Sequence, residues 1–264
     1  MIETIFTFSQ YFFNIYAIPF LLTGMGIVTL GTVIFFNKRN SLTNISFLSL
    51  CLSIGLWLTG ESLMYLSKDI VLAKFWYSVA FLGVTLISST LFTFSACFLN
   101  QAKQLKYFIL LGYGLSFYFY YLSVHSTRFI IGMKKYFWGW YPLFGSLSYP
   151  FLIQWGSLMV VCLWMYIHAL RNITDFDERM RVKYILFGLL IAYLGAFDYI
   201  AAYGITFYPF GYIPILCLVA IIAYAMRQYR LLLTPAMAAT TILNTMVEAL
   251  IVFASDGKIL SVNL

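Results

Sequence analysis

The sequence predicts an all-α integral membrane protein built as a seven-transmembrane helix bundle, and three observations carry that expectation. Hydrophobic residues make up 62% of the chain and charged ones only 9%, whereas a water-soluble domain is under half apolar and about a quarter charged. The apolar residues come in runs of about twenty, the length of a helix across a bilayer, without the alternation of a barrel strand. The cations behind the net charge of +7 sit at the ends of those runs. They form no basic, aromatic-studded face of the kind that binds nucleic acid, so they read as topology signals.

The opening MIETIFTFSQYFFNIYAIPF has Glu3 and no basic residue ahead of its apolar run. It lacks the positive start and small-residue cleavage site of a secretory signal, so it is expected to be retained. Spans follow near 16–36, 43–66, 71–99, 107–124, 150–170, 184–203 and 211–229. An odd number of spans puts the termini on opposite sides. One alternating set of connections carries ten cations, Lys38, Arg39, Lys103, Lys106, Arg171, Arg179, Arg181, Lys183, Arg227 and Arg230; the other carries five, Lys68, Lys74, Arg128, Lys134 and Lys135. The positive-inside bias places the first set in the cytoplasm, so the amino terminus is expected outside and the carboxyl terminus inside a plasma membrane. Tyr11, Phe12, Trp76, Trp138, Trp140 and Tyr208 then collect at the outer ends, where an interfacial aromatic belt belongs.

Cys51, Cys97, Cys162 and Cys217 each fall alone in a different span. They read as small buried hydrophobes and not as a disulfide or metal set. The connection from His125 to Tyr149, HSTRFIIGMKKYFWGWYPLFGSLSY, is the longest, with short β-like runs, glycine and aromatics. It predicts either an ordered lid over the outer mouth of the bundle or an anchor at headgroup depth. In span six, Gly188, Ala192 and Ala196 recur every four residues, a small-residue stripe for close helix packing.

Ionisable groups inside spans are costly and mark function by default, so Glu61, Lys74, His168 and Asp198 stand out. Glu61, Lys74 and Asp198 share the outer depth of three different spans. With Trp57, Tyr77, Tyr199 and Tyr203 nearby in sequence, they predict an aromatic-walled pocket for a small-molecule or lipid ligand. The alternative is that these side chains snorkel to the interface or that Glu61 and Lys74 pair. His168, beside Arg171, reads as interfacial, since one imidazole lacks the partners of a metal site. Neither a phosphate-cradling glycine loop, a metalloprotease motif, a nucleophile elbow nor a lysine for a retinal Schiff base in the last two spans is present. No catalytic residue, metal site or cofactor is predicted.

Past Arg230 the composition changes. Thr234 caps and Pro235 opens a helix expected over 235–247, with Asn244 a polar position in a short seam at coiled-coil spacing. A β-branched run through Ile251, Asp256-Gly257 and a second run from Ile259 predict a strand, a tight turn and a strand. Two strands bury no core, so the chain is expected to stop inside a domain that it does not complete.

Asp198 in span six, Pro209 and Gly211 at the start of span seven, and IIAYAMRQYRLLLTP at its end resemble the amino-terminal seven-helix sensor region of bacterial histidine kinases. The outer WGWYPLFG is similar to an aromatic, glycine-containing motif of that family, and ILNTMVEALIVFASDGKILSVN resembles the opening of a PAS domain. The resemblance implies a sensor domain over 1–230, a cytoplasmic signalling helix over 231–247 and an incomplete PAS-like α/β start over 248–264. It implies signal input to cytoplasmic PAS and kinase domains absent from this chain, transmission through Arg227, Arg230, Thr234, Pro235 and Asn244, a lipid bilayer as surroundings and a homodimer. The histidine box and ATP-binding domain of a complete kinase are not in these residues. A diguanylate cyclase can follow the same kind of sensor, so the output rests on analogy. A small transporter or channel is the rival of another class; the absence of an internal repeat and the outer position of the charges argue against it.

Overall fold

The computed structural model describes residues 8–37, 39–229, 251–253 and 259–262. Its helices are α1 (Ile18–Asn37), α2 (Leu42–Leu66), α3 (Ile70–Phe98), α4 (Lys106–His125), α5 (Ser148–Asn172), α6 (Phe176–Ala192) and α7 (Tyr212–Tyr229). Six helical stretches are long and apolar enough to cross a membrane, and α7 carries a shorter apolar run over Tyr212–Ala225. Large apolar side chains such as Leu22, Leu110, Ile153 and Trp164 point outward, while Ser53, Ser62, Thr85, Ser88, Ser89 and Ser116 are buried. That inversion suits a lipid surround, in which small and hydroxyl-bearing residues let helices approach closely. The Ser89 and Ser116 hydroxyls are hydrogen-bonded at 2.8 Å, and Ser116 donates to the Thr85 carbonyl at 2.7 Å. Cys51 and Cys162 are buried, Cys97 is half-buried and Cys217 is exposed.

Local sequence sets the helix starts. The Asp69 carboxylate accepts from the Leu72 amide at 2.8 Å to cap α3, and Asp175 caps α6 through the Glu178 amide at 2.8 Å. The helices close into a ring: α1 packs on α2, α2 on α3, α3 on α5, α5 on α6, α6 on α7, and α7 back on α1. α4 leans on α3 from outside the ring. Between it and α5 lies an apolar crevice of about 650 Å³. α2 and α3 approach backbone to backbone, where a Cβ on Gly60 would meet the Ala80 backbone nitrogen at 2.5 Å and one on Gly83 would meet the Trp57 nitrogen at 2.5 Å.

Span six is not one helix. It begins at Phe176, earlier than the sequence suggested, and after Ala192 winds into a 3₁₀ segment, Tyr193–Asp198, followed by a helical turn, Tyr199–Ala202. A 3₁₀ helix turns about 120° per residue against about 100° for an α-helix. Six such residues rotate the following side chains by roughly 120° relative to a continuous helix. Of the small-residue stripe, Gly188 performs the expected role: a Cβ there would meet Leu218 on α7 at 2.8 Å. Ala196 lies in the 3₁₀ segment, off the helical repeat.

The long outer connection is an antiparallel hairpin, β1 (Ile130–Tyr136) with β2 (Gly139–Phe144). Its buried face carries Tyr136, Tyr141 and Phe144. Trp138 at its tip departs from the interfacial position expected of it. The indole is 0% exposed, stacked on Tyr136 with centroids 4.3 Å apart and edge-on to Tyr208 at 5.9 Å. Gly139 follows at φ +136°, and a Cβ there would also strike the Tyr65 backbone, so the turn requires glycine. Asn14 fastens this arrangement: its Nδ2 donates to the Trp138 carbonyl at 2.8 Å and the Tyr65 carbonyl at 3.1 Å. Asn14→Ala is expected to cost about 1–3 kcal/mol through the lost buried hydrogen bonds. Faster amide exchange over residues 136–141, with the remaining helices unchanged, is the measurement that checks it.

In the tail, β3 (Ile251–Phe253) and β4 (Ile259–Val262) pair antiparallel, as the sequence predicts. The helix expected over 235–247 lies outside the described residues.

Candidate functional site

A cavity of about 90 Å³ lies within the ring beneath the hairpin, bounded by α2, α3, β2, α5, span six and α7. Of the residues singled out in the sequence, Trp57, Glu61, Tyr77, Asp198 and Tyr199 line it. The structure brings these five together from three spans. Lys74 it does not: the lysine is on the exposed face of α3 and takes no part in the cavity wall. Equal depth in the bilayer did not mean equal azimuth around the helix. Tyr203 also lies outside the wall, with its hydroxyl 2.9 Å from Ser148 Oγ and its ring stacked on Tyr149 at 5.7 Å. His168 is exposed and stacks on Trp164 at 5.4 Å. Arg227 belongs to α7, while Arg230, Thr234, Pro235 and Asn244 lie outside the described residues.

Glu61 is 6% exposed. The Trp57 and Tyr141 side chains lie against its carboxyl group, and Asp198 is close enough to interact with it electrostatically. Its Oε2 has no hydrogen-bond partner among the described residues. Tyr141 sits in the hairpin, above the spans, and donates to the Asp198 carbonyl at 3.1 Å. Burial, with the Glu61 and Asp198 carboxyls beside it, holds its hydroxyl well above the ordinary tyrosine range, so it remains a phenol and a donor.

Asp198, 4% exposed, does more than line the cavity. Its Oδ1 accepts from the amides of Phe210 at 2.8 Å and Gly211 at 3.0 Å, and its Oδ2 accepts from Gly211 at 2.9 Å. Those amides immediately precede α7, whose first turn has unpaired N–H groups and the positive end of the helix dipole. A carboxylate there makes charge-assisted bonds, the strong kind. The 3₁₀ segment is what aims it. Gly211 must be glycine, because a Cβ would collide with Asp198 Oδ2 and stand 2.8 Å from the Trp57 ring. Trp57 also lies 3.8 Å from a Cβ position on Gly195. Trp57, Asp198, Gly195 and Gly211 therefore form one packed junction between α2, span six and α7.

Sequence reasoning missed Tyr141, Trp155 and Tyr193 in the cavity wall. Only Tyr141 had a signal, the WGWYPLFG run in which it stands. The arrangement holds two acids and no base among the lining residues. It offers a surface for binding and, through Asp198, a mechanical link to α7.

No curated protein sequence matches the chain. The family described as the N-terminal 7TM region of histidine kinase matches residues 19–235, a stretch that takes in the cavity, the Asp198 junction and all of α7. The chain belongs to that family, the seven-transmembrane amino-terminal regions of histidine kinases.

Proposed function

We propose that the chain is the signal-input module of a two-component histidine kinase, with the hairpin outside the cell and the end of α7 in the cytoplasm. One observation carries the reading: Asp198 lines the cavity and, with the same carboxylate, holds the amides that start the last helix. Whatever fills the cavity beside Glu61 acts on Asp198, and Asp198 acts on the position of α7. The signal runs from the cavity along α7 toward cytoplasmic PAS and kinase domains, in a homodimer, a direction that membership of a family of histidine-kinase amino-terminal regions supports. Cavity occupancy favours one of two packings of α7 against the ring, and α7 passes the difference on as a shift or rotation. Moving that equilibrium from 1:99 to 99:1 takes about 5.5 kcal/mol of differential binding.

A chimera joining residues 1–264 to PAS and kinase domains tests the proposal in membrane vesicles. Asp198→Ala is expected to fix autophosphorylation at one level regardless of stimulus, a change of about tenfold from the resting wild-type rate if about 1.4 kcal/mol of the bias is lost. A chimera whose rate is untouched by the substitution contradicts the reading.

A further inference from the structure

We propose that the cavity beneath the hairpin binds an amphipathic organic cation, an alkylamine in its simplest form, with the ammonium group at Glu61 and the hydrocarbon chain directed inward. The inference rests on the sensor reading of the same cavity and names the chemistry of its ligand.

Charge is the first argument. Glu61 and Asp198 face the cavity and, among the described residues, no lysine, arginine or histidine does. Asp198 spends its oxygens on the amides ahead of α7, but Glu61 Oε2 has no partner among the described residues. A buried carboxyl oxygen left without a hydrogen bond is costly, and an ammonium group supplies both the charge and the donor that it lacks.

The wall around this acid is the second. Trp57, Tyr77, Tyr141 and Tyr199 surround the acidic end, and Trp155 packs edge-on against Tyr199 at 5.6 Å. Aromatic faces attract a cation that has left water.

The third argument is the shape of the cavity. Away from the acids the lining turns aliphatic, through Ile54 and Leu50 on α2, Leu91 on α3, Leu189 on α6 and Leu218 on α7. From Glu61 to Leu50 along α2 is roughly 16 Å at the α-helical rise. The lining therefore passes from acidic and aromatic near Glu61 to aliphatic near Leu50. A head that needs a carboxylate and a tail that needs hydrocarbon describe a monoalkyl amine.

Equilibrium binding of radiolabelled n-octylamine to the protein in lipid nanodiscs tests the inference, with empty nanodiscs measuring plain partitioning. One saturable site per chain is expected, competed by unlabelled octylamine at least tenfold better than by n-octanol and not at all by octanoate. Glu61→Gln is expected to lower octylamine affinity tenfold or more and to bring it level with octanol. The amine-against-alcohol competition is measured on the wild-type protein and decides the question even where the variant fails to fold. Absence of a saturable component above empty nanodiscs, equal competition by octanol, or a folded Glu61→Gln protein with unchanged affinity overturns the proposal. None of these results touches the effect of Asp198→Ala on α7, so the sensor reading stands or falls separately.

Discussion

Asp198→Ala is expected to lower the stability of the folded protein by about 2–5 kcal/mol and to loosen the outer end of α7. The substitution strands the amides of Phe210 and Gly211, whose charge-assisted acceptor among the described residues is that carboxylate. Each buried donor without a partner costs about 1–3 kcal/mol, and the favourable term between an anion and a helix amino terminus goes with it. Asp198→Asn keeps an acceptor oxygen and loses the charge, so it should fall between the two. Equilibrium unfolding in mixed micelles gives the stability change. Amide exchange over residues 207–215 locates it, and a loss of protection spread evenly over the bundle would count against a local latch.

The second large effect is expected at the crossing of α2 and α3. Gly60→Leu should destabilise by about 3 kcal/mol or more, as overpacking does where backbone cannot retreat, because even its Cβ falls 2.5 Å from the Ala80 nitrogen and 2.7 Å from its Cα. Gly83 faces the backbone of Ser53 and Trp57 in the same way and should respond similarly. Gly114 on α4 is the control, since a Cβ there meets nothing within 4 Å. Gly114→Ala should leave stability unchanged or raise it by up to about 1 kcal/mol through helix propensity. The same unfolding measurement separates the three, and a Gly60→Leu protein as stable as Gly114→Ala would mean that α2 and α3 are not packed backbone to backbone.

Much of the fold was legible because lipid-soluble helices announce themselves by length and composition. Spans one to five and seven lie close to where their apolar runs placed them, and the charge pattern marked their ends. The break at Tyr193 was invisible, since YLGAFD has no proline and continues the apolar, small-residue pattern of the stretch before it. Polar residues in apolar runs singled out Glu61 and Asp198, and both line one cavity. Sequence depth gave no azimuth, so Lys74 was grouped with them although its side of α3 faces outward. Asp198 lines the cavity, and its carboxylate also holds backbone amides twelve and thirteen residues further on, a kind of partner that side-chain chemistry cannot reveal. Trp138 was assigned to the headgroup region by its type, whereas the tight turn at Gly139 and the Asn14 amide draw it inside.

Asp198 is expected to control α7 as a rigid body over its whole length. Tyr224, half-exposed and packed on Tyr184 of α6 with ring centroids 5.6 Å apart, stands thirteen residues beyond Gly211, roughly 20 Å along the helix. A trifluoromethyl-phenylalanine at position 224, observed by fluorine NMR in nanodiscs, therefore reports at the far end of α7 what happens at its start. Introducing Asp198→Asn is expected to shift the resonance or to add a second one from the alternative packing against α6. Superimposable spectra with and without the substitution, from a protein shown to be folded, would contradict the account.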